Sequence, residues 1–280
     1  MKVTFWGVRG SIACSGPHVV AVGGNTSCVE VQAQNHRLIL DGGTGLRGLG
    51  QHITQRQNPS TIIQADLLFS HLHWDHIQGF PFFAPAFAAD SKLRLFGPTG
   101  DDGLTTLQDA LRRQMSTPCF PVPFDSLAAD MKFETIRDSD DLVRGPFYIR
   151  TRSLAHPQGS LGFRIEANGR KLCFATDTEH PAQGFDERLL DLADGVDVLI
   201  YDAQYTVDEY EGRNGPSRRG WGHSTYEAAT EIARAAGVDR LYLFHHDPEH
   251  SDTMIEAIER AAQARFASTW AAREGMTVDV

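Results

Sequence analysis

The chemistry in this chain concentrates in one stretch, Ser70-His71-Leu72-His73-Trp74-Asp75-His76, which sets three imidazoles and a carboxylate within six residues. Each offers a lone pair suited to a divalent metal of the zinc type. Titratable side chains this dense are costly to pack unless something binds them. They follow the apolar run Ala65-Asp66-Leu67-Leu68-Phe69, which predicts a buried strand and puts the cluster at its carboxyl end. His71 and His73, two apart in extended chain, would point the same way. Asp75 and His76 come after the chain turns and would face a second ion close to the first. A solvated polar turn is the plain alternative, but H-x-H-x-D-H behind an apolar strand is a specific signal.

The elements that must hold such a site are legible on both sides of it. Residues 3–6, Cys28–Ala33 and 37–40 read as strands of a hairpin-rich sheet, with Asp41 at a strand end near the cluster. Gly43, Gly45 and Gly48 spell G-x-G-x-x-G, the pattern of a dinucleotide turn. The strands before it read as a hairpin, so a tight strand-to-helix turn is the expectation. Residues 78–130 are rich in Phe and Pro, either as core packing or as an apolar wall over the site. Within them 103–115 has helical spacing, with Leu104, Leu107 and Leu111 on one side. From 131 onward strands return and imply a second hairpin-rich sheet, with His156 and Asp177 each just past a strand. A buried strand ends at Asp202, and a polar loop over 206–222 leads into His223-Ser224-Thr225, where Ser224 or Thr225 would cap a helix over 226–236. A last strand at 240–244 ends in His245-His246-Asp247, and a long helix is expected from 251 or 252 to about 272.

Composition narrows the class. The 280 residues show no linker that would divide them, so one domain over 1–280 is expected. No apolar run approaches the roughly 20 residues that span a bilayer. The start at Met1-Lys2-Val3 reads as a strand rather than a leader, which makes a cytoplasmic location the default. Cys14, Cys28, Cys119 and Cys173 show no C-x-x-C spacing, so reduced structural thiols are expected. The net charge of −10 argues against a general nucleic-acid footprint. It leaves room for a phosphate ester held through metal ions.

Strand ends thus carry His71, His73, Asp75, His76, His156, Asp177 and His245, enough for two metal ions with open positions. In that order, and across nearly the whole chain, these residues resemble the metallo-β-lactamase superfamily of metal-dependent hydrolases. The resemblance implies an α/β fold, a four-layer αβ/βα sandwich of two mixed sheets with helices outside. It implies one divalent ion on His71, His73 and His156 and a second on Asp75, His76 and His245, with Asp177 between them. Zinc is the expected metal, and manganese or iron would also suit these ligands. A water between the ions would lose a proton near neutral pH and attack, which puts Asp75 in the catalytic group. His246 competes with His245 for the last ligand place, and His245 matches the family position.

His223-Ser224-Thr225 before a helix resembles the phosphodiesterase members, including tRNA 3′-processing endonucleases and cyclic-phosphate phosphodiesterases. There this histidine is a general acid oriented by an acidic partner, here Asp202 or Asp247. The segments Gly7-Val8-Arg9-Gly10-Ser11, Tyr201-Asp202-Ala203-Gln204-Tyr205 and Gly220-Trp221-Gly222-His223 resemble small bacterial and phage members, some of which cleave cyclic nucleotides. The preferred expectation is a dinuclear phosphodiesterase acting on a small, cyclic nucleotide. The alternatives are a tRNA 3′-processing endoribonuclease, a phosphoribosyl cyclic-phosphate phosphodiesterase and a non-catalytic nucleotide or metal sensor. The short hairpin between His156 and Asp177 leaves no room for the tRNA-gripping arm of the tRNA enzymes. The expected partners are therefore a small phosphodiester, no stable nucleic acid, no membrane, and a second copy whose site the loop over 206–221 would reach.

Overall fold

The computed structural model describes residues 1–56 and 62–280, and its strands form two seven-stranded sheets. The first holds β1 (Lys2–Gly7), β2 (Cys28–Ala33), β3 (His36–Leu40), β4 (Gln64–Leu68), β5 (Lys92–Gly97) and β6 (Asp130–Thr135). The second holds β7 (Asp141–Arg144), β8 (Phe147–Leu154), β9 (Ser160–Ala167), β10 (Arg170–Ala175), β11 (Val198–Asp202), β12 (Arg240–Phe244) and β13 (Thr269–Ala271). The last strand, β14 (Thr277–Asp279), returns to the first sheet. The orders are β14-β1-β2-β3-β4-β5-β6 and β13-β12-β11-β10-β9-β8-β7.

Period-two alternation decides what each strand buries. In β3, Leu38 and Leu40 face the other sheet while Ile39 faces outward; in β11, Val198 and Ile200 face in while Leu199 and Tyr201 face out. Between the sheets Phe5, Val29, Leu40, Phe163, Phe174 and Phe244 form a shared core. Fully burying one such side chain contributes about 1.5–3 kcal/mol. The outward row of the first sheet packs under helix Gly45–Arg56 and the short turns carrying Phe80 and Phe83. That of the second packs under helices Glu187–Ala193, Tyr226–Ala235 and Asp252–Arg265. Helix, sheet, sheet, helix: this is the four-layer αβ/βα sandwich.

Both sheets change from antiparallel to parallel pairing partway across. β3 to β6 run parallel, as do β10 to β13. β8 and β10 each pair antiparallel with β9, so they share a direction. Strands covered on both faces read as continuous apolar runs, as β11 does. Their carboxyl ends are where open α/β sheets collect ligand-binding residues.

Several local expectations change. The last helix stops at Arg265, not near 272, and the chain goes on into β13 and β14. β14 pairs with β1 through Val3 and Val278, and β13 extends the parallel row beside β12. Leu104 is 81% exposed and lies outside its helix, which spans Leu107–Gln114 behind a capping box of Thr106 and Asp109. The Phe-rich segment is divided, with Phe80, Phe83 and Phe124 buried in the core and Phe82 and Phe87 exposed. At Gly43 an added Cβ would come within 2.3 Å of the Asp75 carbonyl oxygen. The glycine-rich stretch is therefore a tight strand-to-helix turn. Among the described residues no helix is long and apolar enough to cross a membrane.

Candidate metal centre

Three of the strand ends that feed the site turn sharply. Asp41 after β3, Asp177 after β10 and His245 after β12 all have positive φ, at 61°, 54° and 60°. Left-handed backbone at non-glycine residues costs about 1–3 kcal/mol each and collects at functional sites. Close packing adds a second constraint. A Cβ on Gly10 would lie 2.4 Å from the His245 ring, and one on Gly222 would lie 2.3 Å from His156 Nδ1.

The turns bring residues from both sheets together. His71, His73 and His156 form one group, and Asp75, His76 and His245 another, each with ligand atoms within 4.8 Å of one another. Asp177 lies between the groups. Its Oδ1 is 3.6 Å from His71 Nε2 and 3.8 Å from His156 Nε2. Its Oδ2 is 3.3 Å from both His76 Nε2 and His245 Nε2. Asp75 Oδ2 is 3.3 Å from His76 Nε2 and 3.4 Å from His245 Nε2, and accepts the Ser11 amide at 2.8 Å. His246 is turned away, with Nε2 on the Ala272 carbonyl oxygen at 3.0 Å. Burial pushes its pKa down to about 3, so it stays neutral.

A ring of outer contacts fixes which nitrogen of each imidazole faces inward. His76 Nδ1 meets Asp41 Oδ2 at 2.8 Å, and His245 Nδ1 meets Gln204 Oε1 at 3.2 Å. His156 Nδ1 meets the Gly222 carbonyl at 2.9 Å, His73 Nε2 meets Gln158 Oε1 at 2.8 Å, and His71 Nδ1 meets Ser70 Oγ at 3.0 Å. Tying one ring nitrogen to an oxygen in this way is how proteins orient metal-binding histidines. Asp41 is anchored in turn by Ser27 Oγ and by the amide and hydroxyl of Ser70. Asn25 and Thr26 serve structure as well, bonding to Glu274 and Thr44.

The residues fit a cation on two further grounds. His71 Nε2 is buried without a hydrogen-bond partner, and it points into the cluster. Asp41, Asp75, Asp177 and Asp202 are all buried, yet among the described residues their ion-pair partners are histidines alone, never Lys or Arg. Buried carboxylates need a compensating charge. Burial opposes the charged form of Asp177, but His245, His76 and His71 more than offset it and hold the carboxyl well below its usual range. Burial likewise opposes the His76 cation, and Asp177, Asp75 and Asp41 outweigh it to raise that ring well above its ordinary value. His71 is pushed well down, first by burial and then by His76.

Beside the cluster stands His223, whose Nδ1 lies 2.8 Å from Asp202 Oδ2 at the end of β11. Of the two acidic partners open in the sequence, Asp202 is the one in contact. Asp202 Oδ1 also accepts the Ser224 amide, and Thr225 caps the following helix. The His223 ring stacks 4.9 Å from His245 and lies 5.1 Å from His156.

One participant has no signal in the sequence. Glu179 accepts the amides of Gly220 and Gly222 at 2.7 and 2.9 Å and the Tyr210 hydroxyl at 2.6 Å. It thereby pins the loop that supplies both the carbonyl on His156 and the His223 side chain.

Comparisons with known proteins agree with this architecture. The profile of the family described as "Beta-lactamase superfamily domain" matches residues 36–246. A protein of Haloarcula marismortui named Ribonuclease Z is 24% identical, over 99% of this chain and 96% of its own length. Human tRNase Z, short form, superposes with a TM-score of 0.67 at 20% identity, covering 100% of this chain and 99% of that one. Zn²⁺-bound PqqB from Methylobacterium extorquens gives 0.73 at 18% identity, with both chains covered in full at 100%. The relative named as a ribonuclease corrects one expectation, that the partner would be a small phosphodiester with no nucleic acid. That expectation leaned on net charge and on the missing arm, and a metal centre supplies positive charge locally whatever the overall balance. The match over 36–246, together with the site that those residues build, shows that the chain belongs to the beta-lactamase superfamily domain family and is a metal-dependent hydrolase.

Proposed function

We propose that this protein is a dinuclear-metal phosphodiesterase that cleaves RNA, in the manner of a tRNA 3′-processing endoribonuclease. The observation that carries the reading is the juxtaposition of two ligand groups sharing Asp177 with a His223–Asp202 pair at 2.8 Å. The Ribonuclease Z relative supports RNA as the substrate. His71, His73 and His156 would hold one ion, Asp75, His76 and His245 the other, and Asp177 would contact both. Zinc is the favoured metal for this nitrogen-rich set. When bound, such a pair supplies an activated water and steadies the charge that develops on the phosphoryl group.

The chain's own residues account for the rest. Asp202 accepts a hydrogen bond from His223 Nδ1 and fixes the ring, leaving Nε2 to protonate the leaving oxygen. Gln204, Asp41 and the Gly222 carbonyl engage the outward Nδ1 of His245, His76 and His156, which turns each Nε2 toward the ion it would hold.

The test is a precursor tRNA with a 3′ trailer, incubated with protein loaded with Zn²⁺ or Mn²⁺. Release of a discrete trailer, lost on chelation and restored by metal, is the expected result. An intact precursor alongside turnover of a cyclic nucleotide would overturn the RNA assignment.

A further inference from the structure

The segment between His156 and Asp177 is taken up by β9, β10 and their tight turn, so a strand of RNA must be gripped from elsewhere. The loop that Glu179 pins beside the site carries the groups for this. Trp221 lies two residues before His223 and is 52% exposed, so its ring is open at the surface beside the site. The Arg218 guanidinium carbon lies over it at 4.4 Å from the ring centroid and 5.9 Å from that of Tyr205, and Tyr205 in turn lies 6.0 Å from the His223 ring.

The three arginines of the loop are not equivalent. Arg213 is paired with Asp208 and Glu211, and Arg219 reaches Glu211 at 3.6 Å. Among the described residues no carboxylate lies within ion-pair distance of Arg218, whose neighbours are aromatic rings. An unneutralised guanidinium held over a half-exposed indole matches the chemistry of single-stranded nucleic acid, a base for the ring and a phosphate for the cation. The loop is also braced. Its Arg218 and Trp221 amides bond to the Tyr210 and Arg218 carbonyls, and Glu179 holds Gly220 and Gly222.

We propose that Arg218 and Trp221 form a stacking platform for a nucleotide of the RNA strand next to the scissile phosphate. This rests on the ribonuclease reading above and adds the place where the strand is held.

The experiment measures binding of a fluorescein-labelled single-stranded oligoribonucleotide to metal-loaded protein, in a His223→Ala background so that the bound strand persists. Trp221→Ala should weaken binding roughly tenfold, as loss of one base–aromatic stack does, with Trp221→Phe recovering most of it. Arg218→Ala should weaken binding and flatten its dependence on salt. Thermal melts of each variant confirm folding, with Trp221 exposed and Arg218 half-buried. If wild-type protein cleaves RNA yet both variants bind the strand as tightly as the background does, this inference falls and the ribonuclease reading stands. If the protein neither binds nor cleaves RNA, both fall together.

Discussion

Glu179 and Gly222 are joined by a 2.9 Å hydrogen bond whose effect reaches the metal centre, because the Gly222 carbonyl oxygen lies 2.9 Å from His156 Nδ1. The carboxylate is thus two bonds from a proposed ligand without touching the site itself. Burial alone would raise the pKa of Glu179, but the Tyr210 hydroxyl and the two glycine amides lower it more. Glu179→Gln keeps the shape but weakens the acceptor and sets an NH₂ group against an amide donor. Activity or metal affinity should fall roughly 10–100-fold, the usual cost of losing an outer partner of a ligand. Metal titration with unchanged affinity, together with unchanged turnover, would remove Glu179 from the support of the site.

Asp177 faces both ligand groups, so its loss should be felt by both. Asp177→Ala is expected to lower metal content, measured by mass spectrometry of the desalted protein, and to abolish hydrolysis of bis(p-nitrophenyl) phosphate. Turnover at the wild-type rate would rule out the two-ion scheme.

His223 is assigned to proton transfer rather than to metal binding. His223→Ala should slow cleavage by about 10²–10⁴, as expected for loss of a general acid, with metal content retained. Asp202→Asn should slow it too, by disturbing the His223 tautomer. Loss of metal from the His223 variant would instead make this residue a ligand, a role open to it by distance from His156 and Asp177.

A further prediction concerns acid stability and lies outside the site. Glu209 caps its helix through Thr206 and contacts His250 Nε2 at 2.9 Å. Burial would raise its pKa, yet His250 and the Thr206 amide bring it down to about 2. The folded value is below the unfolded one, about 4.3, so the contribution is complete above that pH and is lost as pH falls toward the folded value. The urea midpoint of wild-type protein should therefore drop more steeply below about pH 4.5 than that of Glu209→Gln. Parallel curves would show that the contact does not contribute.

Much of the site was legible because it is written in short-range pattern. His71, His73, Asp75 and His76 follow an apolar strand, and the same logic located His156, Asp177, Asp202 and His245 past later strands. Its place directly after the strand favours His245 over His246, and three dimensions add that His246 is bonded away to the Ala272 carbonyl. Glu179 had no local signature, because its partners are glycine amides 41 and 43 residues away that any sequence supplies. β13 and β14 escaped for a different reason. Each has three residues, too few for alternation to register, and β13 follows an alanine-rich segment that continues the helical pattern.

The left-handed turns at Asp41, Asp177 and His245 carry a consequence for how this centre could be retuned. A substitution at these three positions, two proposed ligands and the outer partner of a third, must also satisfy the backbone, which admits Asn, Asp, His or Gly far more readily than a β-branched or bulky residue. Laboratory evolution toward another metal should therefore leave these joints alone and find its changes at His71, His73 and Asp75, where the main chain places no such restriction.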